Sequence, residues 1–550
     1  MIPKKGTAAP GLRMALTRIT QDLQRITRRH GRVLHDVGER PARVARQDVE
    51  AKLRLDDRLG REIEASGRPG PVRLTKASGR DLPSPQNASA ARHLGSSLPA
   101  NTPISAAERQ FAAEAIADLK KHFGPAADLE SLVTPIEPGD VVAAARRRAT
   151  RNAHWWHGLS EEQRSAMVRV RPHLIGNTDG IPYAYRDRAN RLAITQDLEA
   201  HLVWRPTGRR SGLPKAELMT LRNIVRIRDH LADLERRAHT LGAREVQVLA
   251  YNPRAYKGNG RIVVSIGDAD RAEIVTRHIG GVGTTARKLE NRARLVGNEW
   301  EMTTRYAGHN RIASIIDIGY RHPIAMLPPE PAKPIFAEVG GYVVTRDLVS
   351  YNATRDAWAG LPGGATEPRL HTLLGHSFGS TTICHAGQGG RLAGEIDQII
   401  LSGAPGAGPL TRAADFGIGK QNVYVLASHR DPVTVVGADT AAGQGRFLNT
   451  GHGPDPANER FHAVRVAAEP PSTPPFDNPK RIHTGYNAFA DTQTRQPTEA
   501  LHSIALIAAG RGDEAMRVVH RPAVDTPTLR HRIGTLPTDP EQARAAQRQE

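Results

Sequence analysis

Residues 373–380 read LLGHSFGS and join an apolar run, typical of a buried strand, to a helix of small residues at 381–386. The run contains the pattern G-x-S-x-G at this strand-to-helix turn, where the serine adopts a strained conformation that points its hydroxyl out of the sheet. Glycines two residues before and two residues after the serine remove side-chain clashes in so sharp a turn. We therefore predict that Ser377 is a nucleophile. The turn around it consists of Gly375, His376 and Gly379.

A serine hydroxyl is a weak nucleophile near neutral pH, so it needs a base within hydrogen-bond distance and a carboxylate that orients the base. In α/β-hydrolases these residues follow the serine in the order Asp or Glu, then His. Asp431 lies in SHRDP at 428–432, and His483 lies in RIHTGY at 481–486, each after a strand-like run. We predict a catalytic triad of Ser377, Asp431 and His483. The residues that compete by position are His452, His462, Asp415, Asp439 and Asp455.

Two backbone N–H groups are needed to hold the oxyanion that forms during acyl transfer. One belongs to the residue after the nucleophile, which is Phe378. The other comes from the loop after the third strand, which reads GGVGTT at 280–285 and lets backbone amides approach a substrate closely. We predict that Gly281 or Val282 supplies this second donor. This chemistry requires no metal and no organic cofactor.

From residue 245 onward, short β-branched runs alternate with longer helical patterns, which predicts strand-helix units and a mostly parallel sheet. The predicted strands are 245–251, 261–266, 273–279, 312–318, 370–375, 397–402, 422–427 and 461–467. The GNG turn at 258–260 favours an antiparallel hairpin at the start of the sheet. The predicted fold class is an α/β-hydrolase fold with eight mostly parallel strands, preceded by a helical N-terminal region.

The composition divides the chain into five predicted segments. They are a basic helical segment at 1–66, a flexible linker at 67–104, a helical lead-in region at 105–240, the catalytic domain at 241–510 and a polar tail at 511–550. In the lead-in region, Ser160 and Gln163 have capping-box spacing, and an apolar stripe follows the helix that starts near Pro214. The Pro- and Gly-rich segment 323–369 is interpreted as a lid over the pocket.

The 550-residue chain contains 76 Lys and Arg against 57 Asp and Glu, a formal net charge of +19. Most of the basic residues are Arg and are scattered, so the charge does not favour nucleic-acid binding over a GC-rich coding bias. The single cysteine, Cys384, excludes an intramolecular disulfide and a cysteine-rich zinc site. We find neither an apolar stretch that could span a bilayer nor a secretory signal, which predicts a cytoplasmic protein without a transmembrane segment.

Nine runs occur in an order that is typical of one protein family. They are WWHGLSEEQ at 155–163, LIGNTDGIP at 174–182, RDRANR at 186–191, GDAD at 267–270, GVGT at 281–284, GY at 319–320, GHSFGS at 375–380, GHGPDP at 451–456 and HTGY at 483–486. These runs resemble an actinobacterial family of α/β-hydrolases that is classed as a domain of unknown function. The resemblance implies a serine hydrolase fold and supports the three triad residues, but it implies no established substrate. The chain departs from the family pattern at 278–281, where no proline precedes the glycines, and at Asp317, which replaces an apolar or aromatic residue.

The sequence therefore predicts a serine hydrolase that cleaves a carboxylic ester or related acyl bond of a small molecule through an acyl-enzyme. An acyltransferase would use the same triad and stays open as an alternative. A second alternative is an interaction protein that works through its basic N-terminal helices, with the hydrolase body as a scaffold. The run WHG at 156–158 matches a turn of small proteins exported by specialised actinobacterial systems, so specialised secretion also stays open. The oligomeric state stays undefined at this level.

Overall fold

The computed structural model describes residues 103–124, 140–203, 215–243, 245–309, 311–324, 333–361, 369–436, 452–521 and 541–542. The predicted basic segment at 1–66 lies outside the described residues, as does all but the end of the predicted linker at 67–104. The basic N-terminal helices on which the alternative function depends therefore also lie outside the described residues.

Eight strands form one mixed sheet within the described residues. They are β1 Val246–Asn252, β2 Arg261–Ile266, β3 Ile274–Ile279, β4 Ile312–Ile318, β5 Leu370–His376, β6 Gln398–Ser402, β7 Val423–Leu426 and β8 Val464–Val466. The strand order is β1-β2-β4-β3-β5-β6-β7-β8. Strand β2 runs antiparallel to β1 and β4, and all other neighbours are parallel. The predicted mostly parallel sheet and its opening antiparallel hairpin are confirmed.

Helices occupy the region before the sheet and connect most of its strands. Before β1 lie α1 Ala106–Phe123, α2 Val141–Gly158, α3 Glu161–Val170, α4 Pro172–Ile175, α5 Tyr183–Val203 and α6 Lys215–Thr240. After β1 follow α7 Ala255–Gly258, α8 Leu289–Ala307, α9 Ile335–Ala359, α10 Phe378–Ala386, α11 Val433–Val436, α12 Pro479–Thr484 and α13 Glu499–Ala508, with a small hairpin of β9 Phe489–Asp491 and β10 Gln496–Pro497 before α13. The predicted helical region before the sheet is confirmed. None of the described helices has both the length and the apolar character that crossing a membrane requires.

The start of α3 shows how the local sequence sets a helix end. The Gln163 backbone N–H donates to Ser160 Oγ at 3.2 Å, and the Ser160 backbone N–H donates to Gln163 Oε1 at 2.9 Å. The predicted capping box is confirmed, and it begins α3 directly after α2. The turn allows Trp155 and Trp156 of α2 to pack in one small apolar core with Met167 of α3.

Both faces of the sheet are covered by helices, as a largely parallel sheet requires. Neighbouring residues of a strand point to opposite faces, and β5 illustrates the rule. Leu373 packs in the apolar core under α9 and α10, whereas Leu374 packs in the core that contains α13. A third apolar cluster joins α6 and α8 to β1, β2 and β4. Strand β5 is therefore held between two layers of helices, which fixes the position of its carboxyl end.

Helix α9 lies within the segment 323–369, which the sequence analysis interpreted as a lid. Its Leu348, Val349 and Tyr351 are fully buried, and it packs on the face of the sheet that α10 also covers. These side chains cannot leave the sheet without exposing the core to water, so the lid interpretation is wrong for 335–359. The remaining parts of the segment, 325–332 and 362–368, lie outside the described residues.

The chain continues past α13 along the outer side of β8. The Ala467 N–H donates to the Met516 carbonyl at 2.9 Å, and the Val518 N–H donates to the Arg465 carbonyl at 3.1 Å. Backbone groups at the edge strand thus hold part of the predicted polar tail, residues 511–521, in place. Most of the rest of the tail lies outside the described residues.

Candidate active site

The backbone at Ser377 has the conformation that the motif predicts. Strand β5 ends at His376, α10 begins one residue after the serine, and Ser377 has φ 57° and ψ −130°. A Cβ on Gly379 would lie 2.2 Å from the Ile279 carbonyl oxygen, and a Cβ on Gly375 would lie 2.6 Å from backbone in the first turn of α10. Only glycine fits at these two positions, so the sharp turn and the close contact with β3 both depend on them.

The three predicted triad residues come together at the carboxyl edge of the sheet. His483 Nε2 lies 2.9 Å from Ser377 Oγ, and His483 Nδ1 lies 2.8 Å from Asp431 Oδ2. Asp431 follows β7, and His483 lies on α12. Ser377 is 8% exposed and Asp431 is fully buried. The three hydrogen-bonded side chains therefore extend from the serine into the interior of the protein.

Two of the residues that competed by position, Asp415 and Asp455, hold other partners. Asp455 accepts a hydrogen bond from a buried arginine at 3.1 Å, and Asp415 accepts from the backbone of its own turn. His462 is exposed, whereas His452 is buried. Asp439 lies outside the described residues.

Asp431 is held by two further donors that the sequence analysis did not identify. Tyr486 Oη donates to Asp431 Oδ2 at 2.9 Å, and the Val433 backbone N–H donates to Oδ1 at 2.9 Å. Burial opposes ionisation of Asp431, but His483 and these donors outweigh it and hold the pKa of the carboxyl below its usual range. Tyr486 in turn accepts from the Ser428 N–H at 3.1 Å, so its hydroxyl is oriented on both sides. Its position in the HTGY run was the only signal in the sequence.

A second buried carboxylate fixes the loop that carries Asp431. Glu469 accepts from Ser428 Oγ at 2.7 Å and from the His429 N–H at 2.6 Å. Burial opposes its ionisation, but these hydrogen bonds prevail and lower the pKa of Glu469. Arg430 donates to the carbonyls of Pro470 and Phe476, each at 3.0 Å. The loop after β7 is therefore tied to the segment before α12, which links the position of the aspartate to that of the histidine.

His376 forms a hydrogen bond with the backbone of His483. Its Nε2 lies 2.7 Å from the His483 carbonyl oxygen, and because a carbonyl only accepts, Nε2 carries the proton. The two rings lie 5.0 Å apart. Burial, together with the neighbouring charges of His483 and Arg292, lowers the pKa of His376 to about 3. His376 is therefore neutral near pH 7 and acts as a hydrogen-bond donor.

The loop after β3 approaches the serine closely. A Cβ on Gly281 would lie 2.7 Å from Ser377 Cβ and 3.1 Å from Ser377 Oγ. The loop is closed by Thr284 Oγ1, which donates to the Gly281 carbonyl at 2.8 Å. Phe378 is the first residue of α10, where the backbone N–H has no acceptor within the helix. Gly281 thus lies against Ser377, and the Phe378 amide directly follows the serine at the start of α10.

A family model described as alpha/beta hydrolase matches residues 256–442 of the chain. The fold is that of an α/β-hydrolase. The matched span includes the loop at 280–285, Ser377 and Asp431, and it ends before His483.

Two uncharacterized proteins from two strains of Mycobacterium tuberculosis are similar to this chain. Each is 29% identical over 385 residues, which cover 65% of this chain and 55% of the relative. The chain thus spans about half the length of the curated relatives it matches. No solved structure matches it.

Proposed function

We propose that the chain is a serine hydrolase that cleaves a carboxylic ester or a related acyl bond through an acyl-enzyme. The observation that carries the proposal is the position of His483, which lies within hydrogen-bond distance of both Ser377 Oγ and Asp431 Oδ2, at 2.9 Å and 2.8 Å. A nucleophile, a base and an orienting carboxylate in contact are the requirements for activating a serine.

In the first half of the proposed reaction, His483 Nε2 takes the proton of Ser377 while Oγ bonds to the acyl carbon. Asp431 holds the other ring nitrogen as the donor and stabilises the imidazolium that forms. The Phe378 N–H, together with that of Gly281 or Val282, holds the negative oxygen of the tetrahedral intermediate. The imidazolium then protonates the leaving alkoxide, which departs and leaves the acyl group on Ser377.

In the second half, His483 removes a proton from water, and the resulting hydroxide attacks the acyl-enzyme. Collapse of the second intermediate breaks the bond to Ser377 Oγ, which regains its proton from the imidazolium. The products are a carboxylic acid and a free enzyme. The buried Asp431 stays ionised throughout, because Tyr486 and Val433 donate to it as well as His483.

Labelling with a fluorophosphonate probe tests the proposal, because only an activated serine reacts quickly with it. We expect the full chain to be labelled, and Ser377→Ala and His483→Ala to lose the label. Ser380→Ala is a matched control, since this serine lies one turn away on α10 and donates to the Ser402 carbonyl at 3.2 Å. Labelling that persists in Ser377→Ala, or a folded native chain that does not react, would contradict the proposal.

A further inference from the structure

A cation lies against the loop that approaches the serine. Lys288 ends the short turn Ala286–Lys288, which follows that loop directly in the chain. A Cβ on Gly283 would lie 3.2 Å from Lys288 Nζ, and Gly283 is two residues from Gly281, which meets Ser377. Among the described residues, no carboxylate forms an ion pair with Lys288. Lys288 is exposed, and its ammonium lies against the loop whose Gly281 contacts Ser377.

Arg292 places a second cation on the same side. It lies four residues after Lys288, the residue that directly precedes α8, and residues with this spacing lie on one side of a helix. Its side chain is half-buried, and in the part of the chain that the structure describes no carboxylate pairs with it. Burial consequently lowers the pKa of Arg292 to about 10. Its charge also acts on His376, next to Ser377, and on His322.

His322 completes the group. It lies in the loop after β4, is 2% exposed, and its ring lies 3.8 Å from that of Tyr320. The ring lies against the backbone of Tyr320 and Gly280, which counteracts part of the effect of burial on its pKa, but neither nitrogen reaches full hydrogen-bond geometry with a described residue. Burial and the charge of Arg292 lower the pKa of His322 to about 3, so the ring is neutral and keeps one N–H to donate. A buried polar group without a partner is costly unless a ligand satisfies it.

Positive charge continues outward from Lys288. A groove of about 490 Å³ opens beside it, and its cationic lining residues are Arg222, Arg226, Arg287 and Lys288. Glu290 is the only carboxylate among the described residues that line this groove, and it lies 3.8 Å from a histidine. A surface of one sign raises the local concentration of molecules of the opposite sign.

We propose that Lys288, Arg292 and His322 form an anion subsite beside Ser377, and that the substrate is an ester with a carboxylate or phosphate a few bonds from its scissile carbonyl. The proposal rests on the proposed serine hydrolase function and names its substrate class. A substrate anion at this distance would repel the oxyanion that forms on the carbonyl. The two cations remove that repulsion, and the His322 N–H adds a directed hydrogen bond to the anion.

Matched ester pairs test the anion subsite in the full chain. The first pair is 4-nitrophenyl hemisuccinate and neutral 4-nitrophenyl butanoate, and the second is 4-acetoxybenzoate and its methyl ester. The quantity compared is kcat/KM for the charged ester divided by kcat/KM for the neutral one. We expect the native ratio to favour the charged ester in one pair, which shows whether the anion lies on the acyl or the leaving-group side.

Arg292→Gln and Lys288→Gln should each lower this ratio on the order of 10- to 100-fold, as expected for loss of a charge-assisted hydrogen bond. Arg292→Lys should retain part of the preference. Arg294→Gln is the matched control, because this exposed arginine lies two residues along α8, on the opposite face. Its ratio should equal the native one.

Equilibrium titration of the full chain with succinate, and separately with inorganic phosphate, gives a readout that does not depend on hydrolysis. The ion that binds more tightly identifies the anion, and its affinity should fall about 10-fold in Arg292→Gln. Equal ratios and equal affinities in the native chain and both glutamine variants would overturn the anion subsite. If neither ester is hydrolysed in a Ser377-dependent way while the anion still binds, the proposed function fails and the anion subsite stands.

Discussion

Two buried polar clusters lie on the same sheet and differ in what they can do. At the carboxyl ends of β5 and β7, Ser377, His483 and Asp431 form a chain of neutral and charged groups. Under α9, Arg277 of β3 donates to Asp317 of β4 at 2.6 Å, with both side chains almost fully buried. Burial and charge are common to both clusters, so neither property identifies an active site.

The cluster under α9 is closed by ion pairs. Asp347 of α9 accepts from Arg261 at 2.9 Å and from Arg346 at 2.8 Å, and it lies next to Asp317 across Gly319. Guanidinium groups do not release protons in the physiological range, so the ion pairs of this cluster hold α9 on the sheet. The triad cluster contains instead an imidazole that can gain and lose a proton, next to a serine that is 8% exposed. The departure from the family pattern at Asp317 thus has a structural explanation in its pairing with Arg277.

Among substitutions in the two clusters, Ser377→Ala should have the largest effect on the rate of ester hydrolysis. We expect ester hydrolysis to fall on the order of 10⁴- to 10⁶-fold, because the atom that forms the acyl bond is lost. The free energy of unfolding should change little, since only one hydroxyl is removed. Steady-state kinetics with a neutral nitrophenyl ester and urea unfolding measure the two quantities. A variant that keeps a tenth of the native rate would show that another residue is the nucleophile.

Asp431→Asn should lower kcat by roughly 10⁴-fold, because an amide no longer holds the donor nitrogen of His483 in the required tautomer. The corresponding change in the cluster under α9, Asp317→Asn, should leave kcat of the folded protein unchanged. Circular dichroism shows that each variant is folded before its rate is compared. Equal losses of kcat in both variants would erase the distinction between the two clusters.

Arg277→Met should lower the free energy of unfolding by about 3–5 kcal/mol, because Asp317 is left as an unpaired buried charge. The double variant with Asp317→Leu removes that charge and should recover most of the loss. Urea unfolding measures both changes, and fluorophosphonate labelling should persist in the folded fraction. A double variant as unstable as the single one would contradict the pairing as the source of the effect.

The smallest effect is expected from Tyr486→Phe, which removes one of the donors to Asp431. We expect kcat/KM to fall by about 10-fold, as for loss of a hydrogen bond to a charged group. Tyr306→Phe is a suitable control, because its hydroxyl contacts His502 at 2.6 Å and not the triad. A Tyr486→Phe variant with the native kcat/KM would show that the hydrogen bond does not help to position Asp431.

The pH dependence of the free energy of unfolding of Tyr486→Phe gives a second test of the hydrogen bond from Tyr486 to Asp431. Since the pKa of Asp431 is depressed in the folded chain, its contribution to the free energy of unfolding is present above the unfolded pKa of about 3.9 and is lost as the pH falls through the folded pKa. Tyr486 is one cause of the depression, so the loss on acidification should be smaller in the variant. Urea unfolding below pH 5 measures it.

The sequence predicts those features of the fold that depend on local pattern. The sequence predicts each of the eight strands to within a few residues, because their apolar, β-branched runs are short and separated by polar helices. The sequence also predicts the turn at Ser377, because no residue type other than glycine fits at the two glycine positions of the motif. Chain order then selected Asp431 and His483, which the structure brings together with the serine.

Features that depend on distant contacts were not predictable. The hydrogen bond from Tyr486 to Asp431 and that from Arg277 to Asp317 join residues 55 and 40 positions apart. The lid interpretation of α9 is wrong because the Pro and Gly residues at both ends of the segment dominate its composition, whereas the helix between them is rich in Val, Tyr and other large residues. Its burial follows from packing on the sheet, which no local pattern reports.

The pairing of residues 511–521 with β8 has a practical consequence for shortening the chain. An uncovered edge strand offers its backbone N–H and C=O groups to any strand of another molecule, which leads to aggregation. A chain cut at 510 would retain all three proposed catalytic residues and every strand of the sheet, yet it would uncover β8. Recombinant versions should therefore extend at least through Arg521, which pairs with the backbone at Ala457.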